Sequence, residues 1–205
     1  MKAIFKVTAV AALMAAGMAS AMAAQGSSQA QVLIHGEVVP VACTMGPDAS
    51  TPTDINLGSW TASDFKAGSG ALYTSLFTVP NSVKTFNVTA TGCSGVAPQT
   101  GGKFLLTIDK NTPMMDPSDK IIGDSTLSNG TTAGFTLEAK DNSAGATAKL
   151  YGADDSLVLH EFASGEDWSA VNGTTMKFTT YMAANNANPG TGHVEAPVTF
   201  KVNYQ

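Results

Sequence analysis

The sequence contains no arginine, and its 11 basic residues are all lysine, set against 16 aspartate and glutamate. A nucleic-acid surface needs clustered cations, and base readout leans on arginine. Neither that partner nor an anionic membrane surface suits this chain. Histidine is as scarce. His35, His160 and His193 are scattered, whereas a copper–zinc dismutase site on a β-sandwich needs several clustered histidines. The chain has no Gly-x-Ser-x-Gly, no His-Glu-x-x-His and no phosphate-cradling glycine loop, so it reads as no enzyme and as needing no cofactor. Asp154-Asp155 and Glu166-Asp167 sit in loop-like sequence and read as solvated turns. Asp116 to Asp119 lacks the dense oxygen spacing of a calcium loop.

Long apolar runs are also missing. Val7 to Ala19 is the longest, and it is shorter than the ~20 residues that span a bilayer. It follows Lys2 and Lys6 and precedes Ala21-Met22-Ala23, small residues two apart. That order reads as a removable signal peptide, residues 1–23, with Ala21 and Ala24 as alternative cleavage points. Without it, 182 residues carry nine lysines and 16 acidic side chains, a net charge of −7. This length suits one domain with its own core. The two cysteines, Cys43 and Cys93, have the wrong spacing for paired zinc ligands. In an exported chain an even count reads as one disulfide.

What is abundant is alternation. Phe86, Val88 and Ala90 recur at every second position, as do Phe104, Leu106 and Ile108. Phe135, Leu137 and Ala139 follow the same period, and so do Met176, Phe178, Thr180 and Met182. Period two predicts half-buried strands. Asn129-Gly130, Asn172-Gly173 and Asn188-Pro189-Gly190 predict turns between them. After the signal segment only Ser63 to Ala71 suggests a helical turn. The expected fold is an all-β antiparallel sandwich.

Two segments depart from an ordinary sandwich. From Gly192, residues Val194, Ala196, Val198, Phe200, Val202 and Tyr204 alternate without a break. Pro197, which cannot donate to a ladder, sits among them and predicts an incompletely paired edge. Such an edge with an apolar face needs a cover. An ordinary terminal strand fits the same pattern. At the other end, Ala24 to Gln31 is a polar arm running into Val32, Leu33, Ile34, His35 and Gly36. It reads either as a strand that adds to another sheet or as a frayed terminus.

Gly36-Glu37-Val38-Val39, Cys43, Thr91-Gly92-Cys93, a glycine fourteenth from the end (Gly192) and a penultimate tyrosine (Tyr204) occur in one order. Taken together they resemble the type 1 pilin family of chaperone–usher fimbrial subunits. The resemblance implies an incomplete immunoglobulin-like sandwich that lacks its seventh strand. It implies a donor-strand arm at residues 24–36, with Ser28, Ala30, Val32, Ile34 and Gly36 facing a neighbour's groove, and a pilin domain at residues 37–205. The family usually has glycine where Ala30 stands, which implies either a slightly roomier acceptor or a register shifted to Gly26. Groove residues would be Gly192, Val194, Ala196, Val198, Phe200, Val202 and Tyr204. The disulfide would tie the first strand to the strand that ends at Gly92. Implied partners are other pilin subunits, a periplasmic chaperone and an outer-membrane usher of a Gram-negative envelope. The implied location is a fimbrium on the cell surface, supporting adhesion. A minor, adaptor or ligand-binding fimbrial subunit is the alternative. No host receptor is legible.

Overall fold

Period-two alternation becomes antiparallel ladders in the computed structural model, which describes residues 41–47, 54–126 and 130–205. The signal segment, the arm with its five donor positions, and Asn129 lie outside these residues. In chain order the strands are β1 (Val41–Pro47), β2 (Lys66–Ala67), β3 (Phe77–Thr78), β4 (Lys84–Gly95), β5 (Lys103–Ile108) and β6 (Met114–Asp116). There follow β7 (Ile121–Ile122), β8 (Gly134–Ala139), β9 (Lys149–Tyr151), β10 (Ser156–Glu161), β11 (Thr175–Ala184) and β12 (Phe200–Tyr204). Helical structure among the described residues is limited to three 3-10 turns, Ala62–Asp64, Pro80–Ser82 and Trp168–Val171. The first overlaps the expected turn and starts one residue earlier.

Two sheets form. The larger runs β1-β4-β11-β8-β7-β6, with β2, β3 and β9 attached at its side; the smaller runs β10-β5-β12. Val88, Ala90, Leu137, Ala139, Met176 and Phe178 line the inner face of the larger sheet. Phe104, Leu106, Ile108, Leu157 and Leu159 meet them from the smaller one, each wholly buried. A second cluster gathers Phe65, Val79, Ala133 and Ala184, with Trp60, Phe77, Met182 and Val194 packed at its margin.

A bulge sets the position of the disulfide. Ala42 pairs with Ser94 and Thr44 with Thr91, so β4 carries one extra residue opposite Cys43. Gly92 lies in that insertion at φ 61°, a conformation that costs glycine little. The extra residue reverses the in–out phase of β4. Ala90 and Cys93 therefore both face the core, and Cys93 bonds Cys43 across the two strands. The strand does not end at Gly92, as the sequence suggested, but continues to Gly95. The positive φ that marks a chain end in many contexts here marks a bulge.

The outer face of the larger sheet carries a strap. Gly68 N–H donates to Leu76 C=O at 2.7 Å, closing the loop between them. Tyr73 in this loop donates its hydroxyl to Glu138 Oε2 at 2.5 Å and meets Tyr181 edge to face at 5.5 Å. Burial first, and then the bond to Glu138, raise the Tyr73 phenol well above its ordinary value near 10.0.

Two outcomes are expected. Replacing both cysteines, Cys43→Ser with Cys93→Ser, frees a loop spanning 50 residues in the unfolded chain. The cost should be roughly 4 kcal/mol, read as a lower guanidinium midpoint. The second outcome concerns alkali. The folded Tyr73 holds its proton more tightly than the unfolded chain does. Its contribution is whole below pH about 10 and is lost as pH rises through the folded value. Tyr73→Phe should cost about 1 to 3 kcal/mol near neutral pH and make stability fall less steeply above pH about 10. Tyr151 and Tyr181, whose phenols burial also raises, would retain part of the slope.

Candidate functional site: a seam between the two sheets

Among the described residues, β12 pairs with β5 alone and β1 pairs with β4 alone. The two strands come within 8 Å at their Cα atoms, yet no ladder joins them. Each is the rim of its own sheet, and the seam between the rims runs over the core.

The C-terminal run forms one bank of this seam. From His193 to Gln205 exposure alternates at every residue. Val194, Ala196, Val198, Phe200, Val202 and Tyr204 are half-buried, while the residues between them, and Gly192 at the start, are exposed. Val194 packs on the second cluster and the other five on the main core. None of the six is fully buried. Cys43 and Met45 on β1, and Phe86 on β4, are half-buried against the same core. Phe86, Phe178 and Phe200 form a ring stack under the middle of the run, with centroids 5.0 to 6.3 Å apart.

The paired part of the run is shorter than its alternation predicts. The ladder holds only Phe200–Tyr204, because β5 stops at Ile108, opposite Phe200. Upstream backbone is caught at single points. Asp109 N–H donates to Thr199 C=O at 2.8 Å and Asp124 N–H to Glu195 C=O at 3.1 Å. Pro197, with no N–H to give, falls between them.

Tyr204 is anchored at the far end. Gln99 N–H donates to its hydroxyl oxygen at 2.5 Å. Its ring stands edge-on to Trp168 at 5.2 Å and to Phe162 at 5.8 Å. A Cβ on Gly102 would lie 2.8 Å from the ring, so Gly102 keeps the space open. Lys103 and Gln205 exchange two backbone bonds, 2.7 and 3.0 Å. Beside the ladder, Lys201 forms an ion pair with Asp109. That bond, and then Asn111 N–H, hold the Asp109 carboxyl below the usual carboxylate range. The strand is therefore fixed into the smaller sheet on one edge, and its other edge lies along the seam.

Several contributors escape sequence reading. Trp168 sits on a 3-10 turn that Asp167 caps by accepting Ser169 N–H at 2.8 Å, and its indole N–H donates to Val96 C=O at 2.6 Å. Asn172, read from sequence as a turn residue, also accepts Cys93 N–H at 2.7 Å beside the disulfide. Gln99, Gly102, Met45 and the groundwork of Phe86 were not separable from ordinary strand and loop residues. The Gly101-Gly102 pair before β5 is the one local signal.

The acidic pairs are more than solvated turns. Asp155 pairs with Lys120 at 2.9 Å and accepts Gly152 N–H at 2.7 Å. Glu166 pairs with His160 at 2.9 Å and accepts Ala163 N–H at 2.8 Å; these two bonds, Ala163 first, lower its carboxyl pKa. Asp116 accepts the Ser118 hydroxyl first, then Asp119 N–H, the Asn185 amide and Ser118 N–H, which lower its pKa as well. Among the described residues no three of His, Cys, Asp and Glu stand together as a metal site. A surface cleft of about 520 Å³ beside Asn142, His160 and Glu161 lies away from the seam. What the seam offers is backbone and apolar surface, the two things another strand can use.

The sequence model of the fimbrial protein family matches residues 32–205, most of the chain and all of the seam. No curated protein matches the chain. The matched family is one of structural proteins rather than enzymes, and its members assemble with other pilin subunits into a surface pilus. On that match, and on an all-β architecture consistent with an immunoglobulin-like pilin, the chain belongs to the fimbrial protein family and is a fimbrial subunit.

Proposed function

We propose that this subunit polymerises by donor-strand exchange. Residues 1–23 direct export and are removed, residues 24–36 form the donor arm, and residues 37–205 form the accepting domain. The observation that carries this reading is the C-terminal run. Its six apolar residues are half-buried over the core, one edge is paired by β5, and the other edge has no partner among the described residues. A strand laid along the free edge of β12, with β1 displaced where the two now lie within 8 Å, would complete the ladder and cover Val194, Ala196, Val198, Phe200, Val202 and Tyr204. In the fibre that strand is the arm of the next copy, presenting Ser28, Ala30, Val32, Ile34 and Gly36. Before assembly a periplasmic chaperone lends the strand, and an outer-membrane usher exchanges one for the other. The fibre supports adhesion from the cell surface. Removing one residue of register would turn Leu33 toward the seam in place of its neighbours.

Deleting Ala24 to Gln31 should abolish fibres in electron micrographs while the subunit is still exported; normal fibres would refute the proposal. Adding a second copy of Gln25–Val39 after Gln205 through a flexible linker should give a soluble monomer by size-exclusion chromatography. If the fused chain aggregates as the bare subunit does, the register or the seam assignment fails.

A further inference from the structure

Val83 and Val96 are the large apolar side chains exposed among the described residues, at 41% and 69%. They flank β4, just before Lys84 and just after Gly95. Twelve strand residues separate them, a span of about 40 Å. A lone surface valine needs no explanation. Two of them at opposite ends of one strand are different in a subunit that joins copies of itself.

Chain polarity decides which ends can meet. Val41 pairs with Gly95, so the N-terminal segment enters the domain at the Val96 end. Tyr204 is bound by Gln99 at that same end. Val194 shares a cluster with Val79 and Ala184 at the Val83 end. The ladders among the described residues are all antiparallel. An arm lying antiparallel to β12 of a neighbour would therefore run toward that neighbour's Val83 end. From Gly36, Glu37 to Pro40 are the only residues before Val41. Five Cα steps reach at most about 18 Å. The tether holds the Val83 end of one subunit within about 18 Å of the Val96 end of the next. The loops Ser94–Gly102 and Asn185–Gly192 at these ends contain no charged residue, while Lys84 adjoins Val83 and is exposed.

We propose that Val96 of each subunit docks on Val83 of the neighbour that accepts its arm. The inference rests on the donor-strand reading and adds a second, head-to-tail contact beside it. Such a contact, repeated without closing, extends a filament.

Cysteine cross-linking of assembled fibres tests this. A subunit carrying both Val83→Cys and Val96→Cys should, under mild oxidation, give a ladder of covalent oligomers that survives boiling in denaturant and collapses with reductant. Each single substitution should give no ladder. A second pair, Lys84→Cys with Ala97→Cys, guards against an unfavourable bond geometry at the first. If fibres form and require the arm, yet neither double variant gives more ladder than its single variants, the head-to-tail contact is refuted and donor-strand exchange stands. If fibres form equally well without the arm, donor-strand exchange is refuted, and the inference with it.

Discussion

A backbone amide or carbonyl buried without a partner costs about 1 to 3 kcal/mol, and an apolar side chain left in water forgoes about 25 cal/mol for each Å² it fails to bury. Along the C-terminal run the two costs coincide. Among the described residues, Phe200, Val202 and Tyr204 have a ladder on one side only, and their side chains are half covered. Neither cost can be removed by a local rearrangement. Turning the strand over would expose the apolar set, and moving it off β5 would break the ladder that exists. Much of the surrounding architecture holds this strand by the edge that β5 pairs.

Tyr204 is gripped by Gln99, Trp168 and Phe162, with Gly102 leaving room for the ring. Lys201 and Asp109 tie the strand to the turn after β5. On the opposite bank the disulfide fixes β1 to the bulge in β4, and Asn172 holds that bulge by accepting Cys93 N–H. The middle of the run lies over Phe86, Phe178 and Phe200, and Asp109 holds Thr199 and Lys201 on either side of Phe200. An anchored strand over an apolar floor would suit the proposed replacement of one strand by another, because the anchors do not depend on the ladder partner.

The legibility of this structure in its sequence follows the range of the forces involved. Strand identity depends on residues two apart, and Phe104, Leu106 and Ile108, or Met176 and Phe178, show their inward face in the sequence. The C-terminal alternation likewise matches the exposure pattern residue by residue. Ladder length does not depend on the run itself. It depends on where β5 ends, which is why eleven alternating residues yield a five-residue strand. The bulge at Gly92 is similar: a glycine in Thr91-Gly92-Cys93 fits a chain end or an inserted residue equally, and only the register with β1 distinguishes them. Trp168 was silent because its partners Val96, Phe104 and Tyr204 lie far along the chain. The candidate seam was legible as one strand and illegible as a place between two.

That difference bears on how tightly the donor register can be specified. Period two in the acceptor fixes which face of a donor points inward, but the choice among registers two residues apart rests on side-chain volume along the seam. Bulky aromatic rings crowd the seam near Phe200 and Tyr204, whereas Ala196 leaves more space upstream. A small donor residue is therefore favoured opposite the rings and a larger one opposite Ala196. Within the proposed arm, Ser28 and Ala30 are small, and Val32 and Ile34 are larger. Laid antiparallel to β12 with Gly36 opposite Val194, the proposed arm would set Ile34 opposite Ala196, Val32 opposite Val198, Ala30 opposite Phe200 and Ser28 opposite Val202, so volume rises from Ser28 to Ile34 as the seam opens and Gly36 alone breaks the trend. Alanine in place of glycine at position 30 then adds one methyl group at the crowded end, and the same gradient disfavours a slip that would carry Val32 toward Tyr204.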